Sequence, residues 1–291
     1  MLVESFFHQG EGHEVCEDYA VHGDGFFVLS DGCSNAGGGS IDSDCGARIL
    51  CHISKPLLFN VRSGRYGDFF NALHHYAAAN ANILGANRDC LTATYIAGVR
   101  HQGVFRTLIC GDGVVGSKSK ERPAEWTIHQ YEFLPGGTTG KAAPFYFKYV
   151  MHREVETYLG LFGGKLKKTT YRGDLLAADR KMEVEESEHQ ITPDSFYFVD
   201  DFVADESEFV FACTDGVGAF QKEIRTETSK HKEPVPLLDV LGVLLDVPTI
   251  RPGFLRAQRN WAFRRNLRGT FPNRGWHPDD DVSCAIACCG T

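Results

Sequence analysis

The chain has 291 residues, 43% of them hydrophobic and 23% charged, with a formal net charge of −8. That length supports one large domain or two small ones with a substantial core, and the balance excludes a disordered chain. The acidic charge argues against a general nucleic-acid or anionic-membrane binder, whose surface must be basic to displace counterions. The one basic stretch, Arg256 to Arg268 in "LRAQRNWAFRRNLR", reads as a solvated helix face. The start, "MLVESFFHQGEGHE", lacks the basic-then-apolar order of a secretory signal. No window approaches the roughly 18 apolar residues that span a bilayer. The ten cysteines form no CxxC pair. Cys110, Cys213, Cys284 and Cys288 sit in apolar runs, where a free thiol packs as a small hydrophobe. Reduced thiols and a cytoplasmic location are the expectation.

In chain order, "FFVLS" (26–30), "TATYIAGV" (92–99), "GVFRTLIC" (103–110), "WTIHQYEF" (126–133), "DSFYFVD" (194–200), "EFVFACT" (208–214) and "VSCAIACC" (282–289) read as strands. They are short and rich in β-branched or aromatic residues. "VRHQGV" (99–104) joins two of them through a turn at Gly103, so an antiparallel hairpin is predicted. Helices fall between. "DSDCGARILCHISKPLL" spaces Cys45, Ile49 and Ile53 one turn apart, with a cap expected from Ser40 or Asp42. "DFFNALHHYAAANANILGAN" carries Phe69, Leu73, Tyr76, Ala77, Asn80 and Leu84 near a 3.6-residue period, ending at Gly85 or Asn87. "YVMHREVETYLGLF", "PLLDVLGVLLDV" and "GFLRAQRNWAFRRNLR" are further helices. Within 134–190, "PGGTTGKAAP" reads as a loop and "GGKLKKTTYRGD" as an exposed connection. Consecutive helices followed by hairpin-linked strands do not fit βαβ alternation. They fit an α+β fold with helices packed on antiparallel sheets.

Acidic residues gather at strand ends. Three apolar runs end in Asp-Gly, at Asp31-Gly32, Asp112-Gly113 and Asp215-Gly216. Asp279-Asp280-Asp281 stands directly before "VSCAIACC", and Glu17-Asp18 precedes "YAVHG". An Asp-Gly pair alone most simply makes a hairpin turn. That reading suits Asp112-Gly113 best, because "VVGSKS" offers a return strand. It suits the other two less well: Gly32 leads into "CSNAGGGSIDS" and a helix, and Gly216 into "VGAFQKE", which reads as helix or irregular. Those aspartates look placed at a sheet edge facing a shared cleft. Carboxylates from separate strand ends suit hard cations such as Mg²⁺ and Mn²⁺, which prefer oxygen ligands. Without cations, so many acids in one cleft would repel one another.

The segments "CEDYAV" (16–21), "VLSDGCSNAGGG" (28–39), "TATYIAGV" (92–99), "LICGDGVVG" (108–116), "FVFACTDGVGAF" (209–220) and "DDVSCAIA" (280–287) resemble, in order, the metal-dependent (PPM, type 2C-like) serine/threonine protein phosphatases. The resemblance runs from residue 10 to 288 and implies an αββα sandwich of two antiparallel sheets flanked by helices. It implies one domain over 1–291, with a divergent insert or flap within about 118–205.

Residue by residue, the resemblance implies two Mn²⁺ or Mg²⁺ ions. Asp31 bridges them, the Gly32 carbonyl and Glu17 bind one, and Asp215 and Asp280 complete the other. Asp112 matches the family's Gly-Asp-Ser aspartate, which in bacterial members helps hold a looser third ion; here Gly113 replaces the Ser. Asp18 orients water or a neighbouring ligand. Many members carry a phosphate-binding Arg four residues before the metal Glu, where this chain has His13. Arg offers a planar, permanently charged fork; His offers fewer donors and titrates near neutrality. Asp31, Asp18 and His13 are thus the implied catalytic set.

Cys33 stands where some members place a general-acid His, and reads as a loop thiol. Arg48 and Arg100 are candidates to supply the missing phosphate donor, although a surface or core-edge place is simpler for each. His74-His75, adjacent on a helix, diverge by about 100° and read as core-edge or surface residues. The implied activity is phosphoserine or phosphothreonine hydrolysis by a monomer acting on phosphorylated proteins, with no nucleic-acid or membrane partner. The alternative is a pseudophosphatase that keeps the fold and binds a partner without turnover.

Overall fold

The computed structural model describes residues 1–11, 13–33, 43–225, 230–247, 250–267 and 276–289. The caps expected from Ser40 and Asp42, and the side chains of 261–268 in the basic stretch, lie outside them. The first half contains β1 (Leu2–His8), β2 (Tyr19–Gly23), β3 (Phe26–Ser30), α1 (Ser43–Arg62), α2 (Tyr66–Ile83), β4 (Tyr95–His101), β5 (Val104–Cys110), β6 (Gly113–Ser119) and β7 (Trp126–Phe133). There follow α3 (His152–Phe162), β8 (Lys165–Gly173), β9 (Met182–Gln190), β10 (Phe198–Val203) and β11 (Ser207–Cys213). The chain continues through β12 (Phe220–Arg225), β13 (Lys230–Pro234), α4 (Leu237–Leu245), α5 (Phe254–Leu267), β14 (Trp276–Pro278) and β15 (Val282–Cys288). No helix among the described residues is long and apolar enough to cross a membrane.

The fold is α+β and its sheets are antiparallel. One has seven strands in the order β1-β15-β11-β6-β7-β8-β9, and one has five in the order β10-β5-β4-β3-β2. The expected hairpin is β4–β5, with Gly103 at φ 83 in its turn. Side-chain alternation sorts the residues of the seven-stranded sheet into two cores. Val210, Ala212, Ala285 and Ala287 join the core shared with the five-stranded sheet, α1 and α2. Phe209, Phe211, Cys213, Cys284 and Ile286, on the opposite face, pack in a second core with Val240, Leu241 and Leu244 of α4 and Phe254 and Leu255 of α5. The helices therefore cover the outer faces of a sheet pair. Alanines on the inner face leave room for aromatic side chains of the facing strands, such as Phe27 and Phe105, whose rings stack at 5.4 Å.

The structure corrects several expectations. A third sheet, β13-β12-β14, adds to the two expected, so "VGAFQKE" after Gly216 becomes a short 3-10 turn followed by β12. "GGKLKKTTYRGD" is not an exposed connection or turn but β8, paired along its length with β7 and β9. Its lysines and arginine meet carboxylates across the strands, Lys167 with Glu132 at 3.2 Å and Arg172 with Glu185 at 3.0 Å. Such cross-strand pairs let a strand form from residues of low strand propensity. The 194–200 strand begins later, as β10, and pairs with β5. All ten cysteines are free.

Asp112-Gly113 is not a hairpin turn. β6 follows, but it pairs with β11 and β7 in the other sheet, so the chain crosses between sheets here. Gly111 and Gly113 sit at φ 114 and φ 134. A Cβ on Gly113 would stand 2.7 Å from Ile96 Cδ1 and 2.8 Å from the Cys213 carbonyl oxygen. Gly113→Ala should therefore cost about 1–3 kcal/mol in backbone strain alone. Calorimetry should show the unfolding midpoint lowered by several degrees, while Gly64→Ala, whose Cβ meets nothing within 4 Å, should be milder.

Candidate metal centre

Antiparallel pairing brings strand ends together. β2 starts where β3 ends, β15 starts where β11 ends, and β5 crosses to β6 at the same end of the two sheets. The residues flanking those ends are Glu17-Asp18, Asp31-Gly32, Asp112, Thr214-Asp215 and Asp280-Asp281. A cleft of about 530 Å³ opens there, lined by His13, Glu17, Asp31, Gly32, Asp112, Asp215 and Asp280. The whole set singled out from sequence faces this cleft except Asp18, which is buried behind it. The other wall comes from Gln130, Tyr131, Glu132 and Phe133 of β7, the 142–144 segment, Tyr146 and Leu237. Residues 118–205 thus reach the cleft through β7 and the 142–146 segment.

Hydrogen bonds fasten the segments that carry Asp31 and Asp18. Thr94 N–H donates to the Asp31 carbonyl at 2.8 Å, and Cys33 N–H to the Thr92 carbonyl at 2.9 Å, fastening the turn after β3 to the start of β4. Thr214 Oγ donates to Asp18 Oδ2 at 2.7 Å and accepts the Ser283 N–H at 2.8 Å, tying β11, β15 and the segment before β2 together. His13 lies between two carboxylates, with Nε2 3.4 Å from Asp280 Oδ1 and Nδ1 3.3 Å from Asp281 Oδ2. Neither Arg48 nor Arg100 lines the cleft; both are exposed, and Arg48 lies over the Tyr19 ring. His74 is buried and stacks against Phe147, while His75 is exposed. Cys33 lines the cleft in contact with Tyr146. Two residues of this frame, Thr214 and Asp281, carry no separate sequence signal: Thr214 reads as the last residue of a strand and Asp281 as one more aspartate in a run.

The electrostatics are those of crowded acids. Burial pushes Asp18 up to about 7, against the opposing hydrogen bonds from Asp31 and Thr214. Burial, followed by the charge of Asp280, raises Asp215 to about 6. Burial and then the neighbouring aspartates hold Asp31 and Asp112 well above the ordinary carboxylate range, and burial raises Asp280 as well. No Lys or Arg among the described residues lines the cleft. Asp18 Oδ1 and Asp112 Oδ1 are buried without a hydrogen-bond partner among the described residues. Orphaned carboxylate oxygens of this kind fit the oxygen-ligand chemistry of divalent cations. Among the described residues no group of three or more His, Cys, Asp or Glu side chains forms a ready-made metal site. The donor types nonetheless fit a divalent cation, and Asp18 and Asp31 are in hydrogen-bonding contact.

No family model and no curated protein matches the chain by sequence. Solved structures resemble it in fold. One is PppA, described as a key regulatory component of T6SS in Pseudomonas aeruginosa, with 14% identity over 98% of this chain and 96% of that one and a TM-score of 0.41. Another is the catalytic domain of the serine/threonine protein phosphatase PstP in complex with two manganese ions, with 13% identity, coverage of 99% and 97%, and a TM-score of 0.42. A third is the serine/threonine phosphatase Stp1 of Staphylococcus aureus, with 12% identity, coverage of 98% and 94%, and a TM-score of 0.46.

The crowding has a direct consequence for stability. Raised carboxyl pKa values mean that the folded chain binds more protons than the unfolded one between the ordinary carboxylate range and the folded values. Stability contributed by the cluster therefore grows as pH falls through about 7 for Asp18 and about 6 for Asp215, and it is weakest above them. In metal-free buffer, Asp31→Asn should raise the unfolding midpoint by several degrees at pH about 8 and by less at pH about 5, which scanning calorimetry would measure.

Proposed function

We propose that the chain is a metal-dependent phosphoprotein phosphatase that hydrolyses phosphoserine or phosphothreonine with a water activated by two divalent cations. The observation that carries this reading is the convergence of Glu17, Asp31, Asp112, Asp215 and Asp280 from separate strand ends on one cleft without a Lys or Arg among its described lining residues. Asp31, Glu17 and the Gly32 carbonyl would hold one ion and Asp31, Asp215 and Asp280 the other, with Asp112 available to a looser third. When bound, such ions supply Lewis acidity and charge neutralisation for in-line displacement at phosphorus.

The chain's own groups have distinct tasks. Asp18, fixed by Thr214 and in hydrogen-bonding contact with Asp31, orients what Asp31 holds. His13 is favoured as a cation: burial opposes its charge, but Asp281 and Asp280 outweigh it and raise its pKa. Its ring lies between Asp280 and Asp281 in the lining of the cleft, at the position where the resembling family often has Arg, and would offer a phosphate positive charge rather than a free N–H fork. The β7 strand with the 142–146 segment walls the substrate side. We read 1–291 as one phosphatase domain acting as a cytoplasmic monomer on phosphorylated proteins.

The test is hydrolysis of p-nitrophenyl phosphate and of phosphoserine and phosphothreonine peptides with and without Mn²⁺ or Mg²⁺. Turnover should require the cation, and Asp31→Asn or Asp215→Asn should lower kcat roughly 10²–10³-fold, the scale of losing one electrostatic group from a site. The second reading, a pseudophosphatase, is motivated by His13 and Cys33, which line the cleft where the resembling family often has Arg and, in some members, His. Calorimetric cation binding without turnover on any of these substrates would establish it in place of the first.

Charge also sets a preference among substrates. Glu132 adds a carboxylate to the wall of the cleft, so phosphopeptides with Lys or Arg near the phosphoresidue should show a several-fold higher kcat/KM than acidic ones. The advantage should shrink as ionic strength rises, because the charges are separated by solvent.

A further inference from the structure

We propose that Asp281 is a positioning residue for the cation site: it holds the backbone of residues 10–18 so that Glu17 and Asp18 stand opposite Asp31, Asp215 and Asp280. This inference rests on the metal-dependent reading above, in which Asp281 itself has no part.

The side chain of Asp281 has no solvent exposure. Burying an ionised carboxylate is unfavourable unless several donors surround it. Asp281 has those donors, and they come from one distant segment. Its Oδ1 accepts the Gly10 N–H at 2.7 Å, and its Oδ2 accepts the N–H groups of Glu17 and, at 3.4 Å, Asp18. The His13 ring adds a contact at 3.3 Å. Its own N–H donates to Asp280 Oδ1 at 2.8 Å, so the same residue orients its neighbour.

The surrounding backbone is shaped to permit this approach. A Cβ on Gly10 would stand 2.4 Å from the Asp280 carbonyl carbon, and one on Gly216 only 1.8 Å from the Asp281 carbonyl oxygen. The N-terminal segment, the start of β15 and the turn after β11 therefore meet at Asp281 with no room for side chains between them. Both carboxylate oxygens are occupied on one side by Gly10 and on the other by Glu17-Asp18. An Asn at 281 has one acceptor oxygen and can serve only one of the two.

A role confined to stability would lower the unfolding midpoint and leave the cation affinity of the folded protein unchanged. A positioning role moves the affinity itself, because Glu17 and Asp18 no longer face the other acids; outer partners of this kind are worth roughly 10–100-fold in metal affinity. The experiment is calorimetric titration of the full chain with MnCl₂ alone, well below the unfolding midpoint, for wild type, Asp281→Ala, Asp281→Asn and the control Asp279→Ala, a half-buried aspartate that pairs with Lys232 and does not line the cleft. Asp281→Ala should weaken the Kd for Mn²⁺ roughly 10–100-fold, Asp281→Asn by a smaller factor, and Asp279→Ala not at all. A folded Asp281→Ala protein with the wild-type Kd overturns the inference and leaves the phosphatase reading intact. Should Asp281→Ala fail to fold, Asp281→Asn decides, and a wild-type Kd there has the same force. Absence of Mn²⁺ binding by wild type would sink the metal-dependent reading and this inference with it.

Discussion

Burial of several aspartates together at one end of the sheets, added to by their mutual repulsion, is the constraint on which this structure turns. Asp18, Asp31, Asp112, Asp215 and Asp280 all have raised pKa values, and burial is the first cause in each case. A fold selected for stability alone would place Lys or Arg among them or spread them over the surface. Here the described lining of the cleft contains neither. The acids are held together by what surrounds them: two sheets, two cores, and hydrogen bonds to backbone groups behind the cleft.

That containment explains several local features. The crossing at Gly111–Gly113 lets β5 and β6 belong to different sheets while Asp112 sits between them. Thr214 links Asp18 to Ser283, and through them three chain segments distant in sequence. Strand ends are suited to such a task, because the sheet ladders on one side are rigid and the loops on the other can accept ligand-sized space. The outer helices contribute burial rather than chemistry. Val240, Leu241 and Leu244 of α4 pack on Phe209, Phe211 and Ile286 from the face opposite the inter-sheet core.

Much of this was legible from residue order. The runs 26–30 and 126–133 are β3 and β7 as expected, and the hairpin through Gly103 is β4–β5. The helices of 43–62 and 66–83 form where expected, but in the second only Phe69, Leu73 and Ala77 of the expected face are buried, while Tyr76, Asn80 and Leu84 are exposed. β8 and β9 were not legible, because their residues are polar and charged and form strands only once Lys167 and Arg172 have cross-strand partners. The hairpin reading of Asp112-Gly113 fails for a related reason, while Asp112 lines the cleft as the resemblance implies. "VVGSKS" is indeed a strand, but local sequence does not say which sheet will accept it.

The amino-acid sequence by itself determined which residues could carry the chemistry: acids at the ends of apolar runs, with glycine beside them, a pattern written in neighbouring positions. Only the tertiary structure decided that these ends share one cleft, that His13 lies between Asp280 and Asp281, and that Asp281 holds Gly10, Glu17 and Asp18. The physical reason is distance along the chain. Propensity and periodicity act over a few residues, whereas a hydrogen bond from Glu17 to Asp281 spans 264 positions. It exists only after β1, β15 and β11 have paired.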